Sequence, residues 1–323
     1  VLFNLQFLKF GDKNILAALG LMLPLLCKMK GIPTISLMHN IIEQVDLNTA
    51  GITSNKFFQK IYSGIGNLLT KLVLTSDVVA VTMGKYQTIL ENKYQSRNVA
   101  LIPHGSFETP EEPDFTLPAG PKKILTFGKF GTYKKVEIMI EAIELIRRRT
   151  NQNLEIVIAG ADSPNTPVYL ESVNKKYAHV DQLCFTGYVE EDTVPTIFEE
   201  SAVVVFPYTS TTGSSGVLHQ AGSYGKAVVL PELGDLSTLI KEEGYKGEFY
   251  NSKSVSSLAD AIENILAHDS YREYLAKANY RAASAIPMSK VVKMYIEYFK
   301  VIQVAKSKGF TLDVPLVEKN IVF

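Results

Sequence analysis

The stretch Thr209-Ser-Thr-Thr-Gly-Ser-Ser-Gly-Val-Leu-His-Gln-Ala-Gly-Ser-Tyr-Gly-Lys-Ala-Val-Val229 follows a β-branched run at 203–208 and opens onto an apolar helical pattern. A strand therefore passes through a glycine- and serine-rich loop into a helix. Glycine lets the main chain turn tightly and come close to a ligand. The first N–H groups of the following helix, with its dipole, favour a phosphate or diphosphate there. Ser214 and Ser215 add hydroxyl donors, and either can cap the helix. Loops of this kind are common in α/β proteins, so the rest of the chain decides what this one holds.

Working outward, strand-like runs recur at 34–38, 78–82, 99–102, 124–127, 154–159, 183–185, 203–207 and 227–230, with helical patterns between several of them. Strands alternating with helices make parallel sheets covered on both faces. Residues 108–123, with Thr109-Pro-Glu-Glu-Pro-Asp114 and Leu117-Pro-Ala-Gly-Pro121, have the composition of a linker. The expected organisation is an α/β domain over 1–112, a linker at 113–121, a second α/β domain over 122–288 and a closing helical segment over 289–323. In the second domain the run at 124–127 leads into Gly128-Lys-Phe-Gly-Thr-Tyr-Lys-Lys135, whose lysines would set ammonium groups beside an anion. Gly160-Ala-Asp162, Phe185-Thr-Gly-Tyr-Val189 and Phe206-Pro-Tyr208 mark further strand ends. Ligands of open α/β sheets lie outside the carboxyl ends of the strands, so these loops are expected to converge on a nucleotide diphosphate.

Composition narrows the field. A chain of 323 residues, 46% of them hydrophobic, has room for two cores. Lys plus Arg and Asp plus Glu each number 33, a balance that argues against bulk nucleic-acid binding. Cys27 and Cys184 lie in apolar runs without a CxxC partner, and are expected to be buried thiols in a reducing compartment, with neither a disulfide nor zinc. Residues 15–27 are too short for a span of about 20 residues and contain Pro24, so a buried helix is expected there.

Taken in order, Gly128-Lys129 with Lys134, Leu154-Glu-Ile-Val-Ile-Ala-Gly160, Phe185 to Val189, Phe206-Pro-Tyr208 and Gly213 to Val229 make the chain resemble the family four glycosyltransferases. The resemblance implies the GT-B architecture, two Rossmann-like domains facing a central cleft. It also implies transfer of a hexosyl or N-acetylhexosaminyl group from a UDP- or GDP-linked donor, with retention of configuration, to a glycan, lipid-linked or small-molecule acceptor. By the same resemblance Lys129 and Lys134 contact the donor diphosphate. Gly128, Gly187, Tyr188, Thr212, Gly213, Ser214, Ser215, Gly216, Val217 and Gln220 surround the donor. His39, at the end of a first-domain strand, lies near the reacting sugar. Lysines and backbone amides stand in for a metal ion, so neither metal nor cofactor is expected.

Two departures bear on activity. Lys129 occupies a place usually held by arginine, a point charge for a planar fork. Thr212 and Gln220 stand where the family has two glutamates eight positions apart. Gln220 keeps an acceptor and two donors for ribose hydroxyls, whereas Thr212 has a single hydroxyl. Two readings follow, an active transferase and a nucleotide-sugar-binding partner subunit that does not catalyse.

The resemblance also places two or three strand–helix units before Val1, so the chain is expected to begin inside its first domain, and it sends the amphipathic segment at 289–302 back onto that domain. Residues 55–72 mix lysines with large apolar groups at helical spacing, which suits an anionic membrane surface; a cytoplasmic protein with peripheral contact at the inner membrane surface is expected. His104, in Ile102-Pro-His-Gly105, reads as a turn residue, and His179, His219 and His268 receive no role.

Overall fold

Four short parallel strands, β1 (Leu2–Leu5), β2 (Ile35–Met38), β3 (Val78–Val81) and β4 (Val99–Leu101), lie in the order β1-β2-β3-β4. The computed structural model describes residues 1–5, 20–41, 56–107, 111–211 and 213–315, and the chain divides into two units. These strands form the sheet of the first unit, which comprises Val1–His104, Thr212–Ser214 and Met288–Phe323. Every residue of β3 is buried, the continuous apolar run of a strand covered on both faces. Among the described residues its helices include α1 (Leu23–Met29), α2 (Lys56–Val73) and α3 (Gly84–Tyr94), each lying in the chain between neighbouring strands of the sheet.

The expectation of a buried helix at 15–27 is corrected where it can be read. In α1 only Pro24 is buried, Leu23 and Leu26 are exposed, and Met29 is 73% exposed. Apolar composition alone does not orient so short a helix. Residues 15–19 lie outside the described residues.

The second unit, Gly105–Thr211 with Ser215–Pro287, holds a six-stranded parallel sheet. Its elements are β5 (Lys122–Phe130), α4 (Glu137–Thr150), β6 (Leu154–Asp162), α5 (Tyr169–Lys176), β7 (Leu183–Gly187), α6 (Val194–Glu199), β8 (Ser201–Val205), α7 (Gly216–Ser223), β9 (Ala227–Pro231), α8 (Gly234–Glu243), β10 (Glu248–Tyr250), α9 (Val255–Ala267) and α10 (Asp269–Ala285). The strand order is β10-β9-β8-β5-β6-β7. The core joins Ile124, Ile156 and Val203 of the strands to Ile143 of α4 and Ile262 of α9. Burial of such an aliphatic side chain stabilises by roughly 1.5–3 kcal/mol. Within this unit Arg272 donates to the Phe115 carbonyl at 2.7 Å, and Pro113 and Phe115 pack against Gly225. The chain continues into α11 (Met288–Lys308) of the first unit, which buries Val291, Met294, Tyr298, Ile302 and Ala305 at helical spacing.

Both thiols depart from expectation: Cys27 is half-buried and Cys184 exposed. Cys184 lies on β7, an edge strand, where alternate side chains leave the packed face. Among the described residues no helix is long and apolar enough to cross a membrane.

Candidate functional site

From β5 the chain steps through β6 to β7 at one edge, then returns to β8 on the other side of β5 and continues outward through β9 to β10. The direction of winding reverses between β5 and β8. Loops leaving the two strands at such a reversal go to opposite faces and leave an opening at their carboxyl ends, where α/β sheets bind ligands. Both loops singled out in the sequence leave the sheet at this point.

They are tied together by backbone. The Lys135 N–H donates to the Pro207 carbonyl at 2.9 Å, the Thr209 N–H donates to the Tyr133 carbonyl at 2.8 Å, and Lys134 and Tyr208 form an antiparallel bridge. A turn closed by the Gly131 N–H to the Lys134 carbonyl, 3.0 Å, returns the first loop toward the sheet. Strand β5 runs further than the glycine at 128 suggests. Gly128 and Lys129 are strand residues, in register with Gly160 and Ala161, rather than the start of a loop.

The two lysines differ. Lys129 is exposed, while Lys134 is buried with its Nζ beneath Gly128, 3.5 Å from the Phe127 carbonyl and 4.8 Å from the centre of the Tyr208 ring. A side chain on Gly128 would place its β-carbon 2.5 Å from that Nζ. Among the described residues neither lysine pairs with a carboxylate. Burial pulls the Lys134 ammonium below its ordinary range, with Tyr133 acting in the opposite direction. Lys135 turns away, donating to the Gly131 carbonyl at 2.5 Å with its Nζ 4.6 Å from the Tyr169 ring.

After β8 the chain enters α7, and the choice of cap is resolved. Ser215 is the N-cap, extended in backbone, its hydroxyl accepting from the Leu218 N–H at 3.4 Å. The helix leaves the N–H groups of Gly216 and Val217 without an intrahelical acceptor, the arrangement that favours an anion. Gln220 is half-buried one turn on, and its neighbour His219 is buried with Nδ1 2.9 Å from the Tyr245 hydroxyl. Gly187 and Tyr188 lie at the far end of β7, two strands from β5, and Tyr188 is 74% exposed. Neighbouring strands are about 4.8 Å apart, so this pair is about 10 Å from β5.

In the first unit His39 follows β2, its Nε2 2.6 Å from Asn4 Oδ1 and its ring 6.4 Å from that of His104. Burial, and then the neighbouring His104, hold it below the ordinary imidazole range. Gly213, at φ +75°, donates its N–H to the Tyr86 hydroxyl at 2.7 Å, and a β-carbon there would lie 2.4 Å from the His39 carbonyl oxygen. Ser214 is half-buried, and Thr212 lies outside the described residues. Among the described residues no group of three His, Cys, Asp or Glu side chains is placed to hold a metal ion.

Sequence reasoning passed over two residues here. Tyr208 appeared as a strand end and within the Phe206-Pro-Tyr208 motif of the resemblance, without a role of its own, yet its ring lies against Lys134. Tyr86 supplied no motif, yet it holds the Gly213 amide. An aromatic directly after Pro207 was the only available sign of the first.

The fold and the parallel sheets are those of the GT-B glycosyltransferases. The Anabaena protein HepE, solved in complex with UDP, superposes with a TM-score of 0.69 at 14% identity, covering 88% of this chain and 77% of that one. A sucrose-phosphate synthase from Thermosynechococcus elongatus gives 0.65 at 18% identity, covering 86% and 70%. Residues 121–268 match the family model of the glycosyl transferases group 1. An uncharacterized glycosyltransferase of Methanocaldococcus jannaschii is 30% identical over 155 residues, 48% of this chain and 38% of that relative's own length.

Proposed function

We propose that this protein is a glycosyltransferase that uses a nucleotide-diphosphate-sugar donor. One observation carries the reading: at the reversal between β5 and β8, a buried ammonium, Lys134, with no carboxylate partner among the described residues, lies in the loop bound to the one that opens α7, where a serine-capped helix presents backbone N–H groups. A departing diphosphate gathers negative charge, and donors fixed in advance stabilise it best where water is scarce.

Lys134, Lys129 and the amides of Gly216 and Val217 take that charge in this proposal, Gln220 holds the ribose, and Gly187 and Tyr188 bear on the nucleoside. Because lysines and amides meet the diphosphate, transfer is proposed to run without a metal ion. In the first unit His39, held below the ordinary imidazole range and oriented by Asn4, is proposed to contact the transferred sugar in neutral form. UDP or GDP as the nucleotide, a hexosyl or N-acetylhexosaminyl group, retention at the anomeric carbon, and a glycan, lipid-linked or small-molecule acceptor all rest on the family resemblance. Peripheral contact of α2 with an anionic membrane is proposed from its lysines and the exposed Ile65 and Leu68.

Calorimetric titration with UDP, GDP and their sugar conjugates, followed by an assay for released nucleotide, tests the proposal. One nucleotide is expected to bind, with turnover. Lys134→Ala is expected to weaken binding by roughly ten- to a hundredfold, the scale of a charge-assisted contact. No binding of any nucleotide would remove the reading.

A further inference from the structure

Lys134 and Tyr208 stand directly opposite one another in the antiparallel bridge that joins the two loops. Opposite residues of such a pair project to the same face, so the two side chains are bound to meet. The Lys134 Nζ lies 4.8 Å from the centre of the Tyr208 ring, within the range of a cation–π contact. The ring itself is fixed on both sides, by Tyr133 at 5.5 Å and by Phe206 at 5.4 Å, both edge-on. Tyr208 is buried, and the side chain that bears on its hydroxyl is Ser215, without a hydrogen bond of good geometry among the described residues. The other contact of the ammonium is a long one, 3.5 Å to the Phe127 carbonyl.

We propose that Tyr208 is a positioning residue of the donor site, its ring fixing the Lys134 ammonium in charged form beneath Gly128 for the diphosphate. This rests on the donor reading of the β5–β8 opening and gives a role to Tyr208, which the Phe206-Pro-Tyr208 motif marked without assigning one. The physical reason is the electrostatics of a desolvated cation. Burial favours the neutral amine, and with no carboxylate paired to it among the described residues the negative face of an aromatic ring is the compensating group. The titratable groups that face Lys134 are Tyr133 and Tyr208, both pushed by burial above the ordinary phenol range. The difference between wild type and Tyr208→Leu across the pH range then reports what the ring does to the lysine.

The test is UDP affinity by calorimetry from pH 6 to 10 for the wild-type protein, Tyr208→Phe, Tyr208→Leu and Lys134→Ala. Wild-type affinity is expected to fall as pH rises through the lowered Lys134 titration. Tyr208→Phe keeps the ring and is expected to keep that midpoint. Tyr208→Leu is expected to move the midpoint down by about one pH unit and to weaken binding at pH 8 by about tenfold, the scale of a desolvated cation–π contact. Lysine labelled at Cε provides a readout in the wild-type fold: the Lys134 resonance, assigned by its loss in Lys134→Ala, is expected to be ring-shifted and to titrate low. An unchanged midpoint in a folded Tyr208→Leu, or an unshifted Lys134 resonance, overturns the role of Tyr208 while leaving nucleotide binding in place. A wild-type protein that binds no nucleotide instead overturns the donor reading itself.

Discussion

Gly128 and Gly160 face each other in register on β5 and β6, and a β-carbon on Gly160 would lie 1.9 Å from the Gly128 carbonyl oxygen. Both glycines have positive φ, +130° and +134°. The strands close on one another where Lys134 is held, and only the absence of a side chain permits it. Gly160→Ala is expected to destabilise the protein by about 2–4 kcal/mol, since backbone must move as well as adopt a strained conformation. Gly244→Ala, at φ +80° with open space around it, isolates the conformational part and is expected to cost about 1 kcal/mol. Denaturant melts of the two variants check the difference.

The cap of α7 makes a second expectation. Ser215→Ala removes the hydroxyl that accepts from Leu218 and is expected to cost about 1 kcal/mol. Ser214→Ala leaves the cap in place and is expected to cost less than half of that. Reversal of this order in thermal denaturation would show that the cap is misassigned.

Glu243 ends α8 in a buried position, with neither carboxylate oxygen hydrogen-bonded and His219 Nδ1 3.5 Å away. Burial first, and then Glu242, push its pKa up from 4.5 to about 8. Between those values the unfolded chain releases a proton that the folded one keeps, so stability falls as pH rises through the window, by up to about 1.4 kcal/mol per unit. Glu243→Gln is expected to flatten that decline, with its largest gain in melting temperature near pH 8 and almost none at pH 4.5.

Lys226 gives the opposite slope. Its buried Nζ donates to the Glu199 carbonyl, and desolvation, followed by Arg272, pulls its pKa from 10.5 to about 8 despite Glu199. Between pH 8 and 10.5 the unfolded chain binds the proton that the folded chain has lost, so stability rises with pH there. Lys226→Met is expected to raise stability at pH 7 by about 1–2 kcal/mol, the gain fading toward pH 10.5. Parallel melts at the two pH values decide it.

The alternation of strand and helix was legible because a parallel strand buried on both faces is a short unbroken apolar run, as Val78–Val81 and Ala227–Pro231 are. The loops were legible through glycine and serine. Strand β10 was missed: its three residues, Glu248 to Tyr250, lie between Gly247 and Asn251 and carry no pattern of their own. The extension of β5 through Gly128 was missed because glycine normally ends a run, and here it continues one against another glycine. Side-chain direction was the least legible property. Cys184 and, in α1, Leu23 and Leu26 look buried by composition but are exposed, and the meeting of Lys134 with Tyr208 depends on a pairing between residues far apart in the chain.

The first unit draws on both ends of the described chain. Val314 donates its N–H to the Arg97 carbonyl, Lys306 pairs with Asp77 at 2.9 Å, and Tyr298 and Ile302 are buried. On the ribosome the strands of this unit therefore emerge first, yet it cannot close until α11 has followed, after nearly the whole of the second unit. Domains ordinarily fold in the order of their synthesis. Here the later-made unit can be finished first, and the contacts at Asp77 and Arg97 that complete the earlier one wait for a helix that begins almost two hundred residues beyond β4.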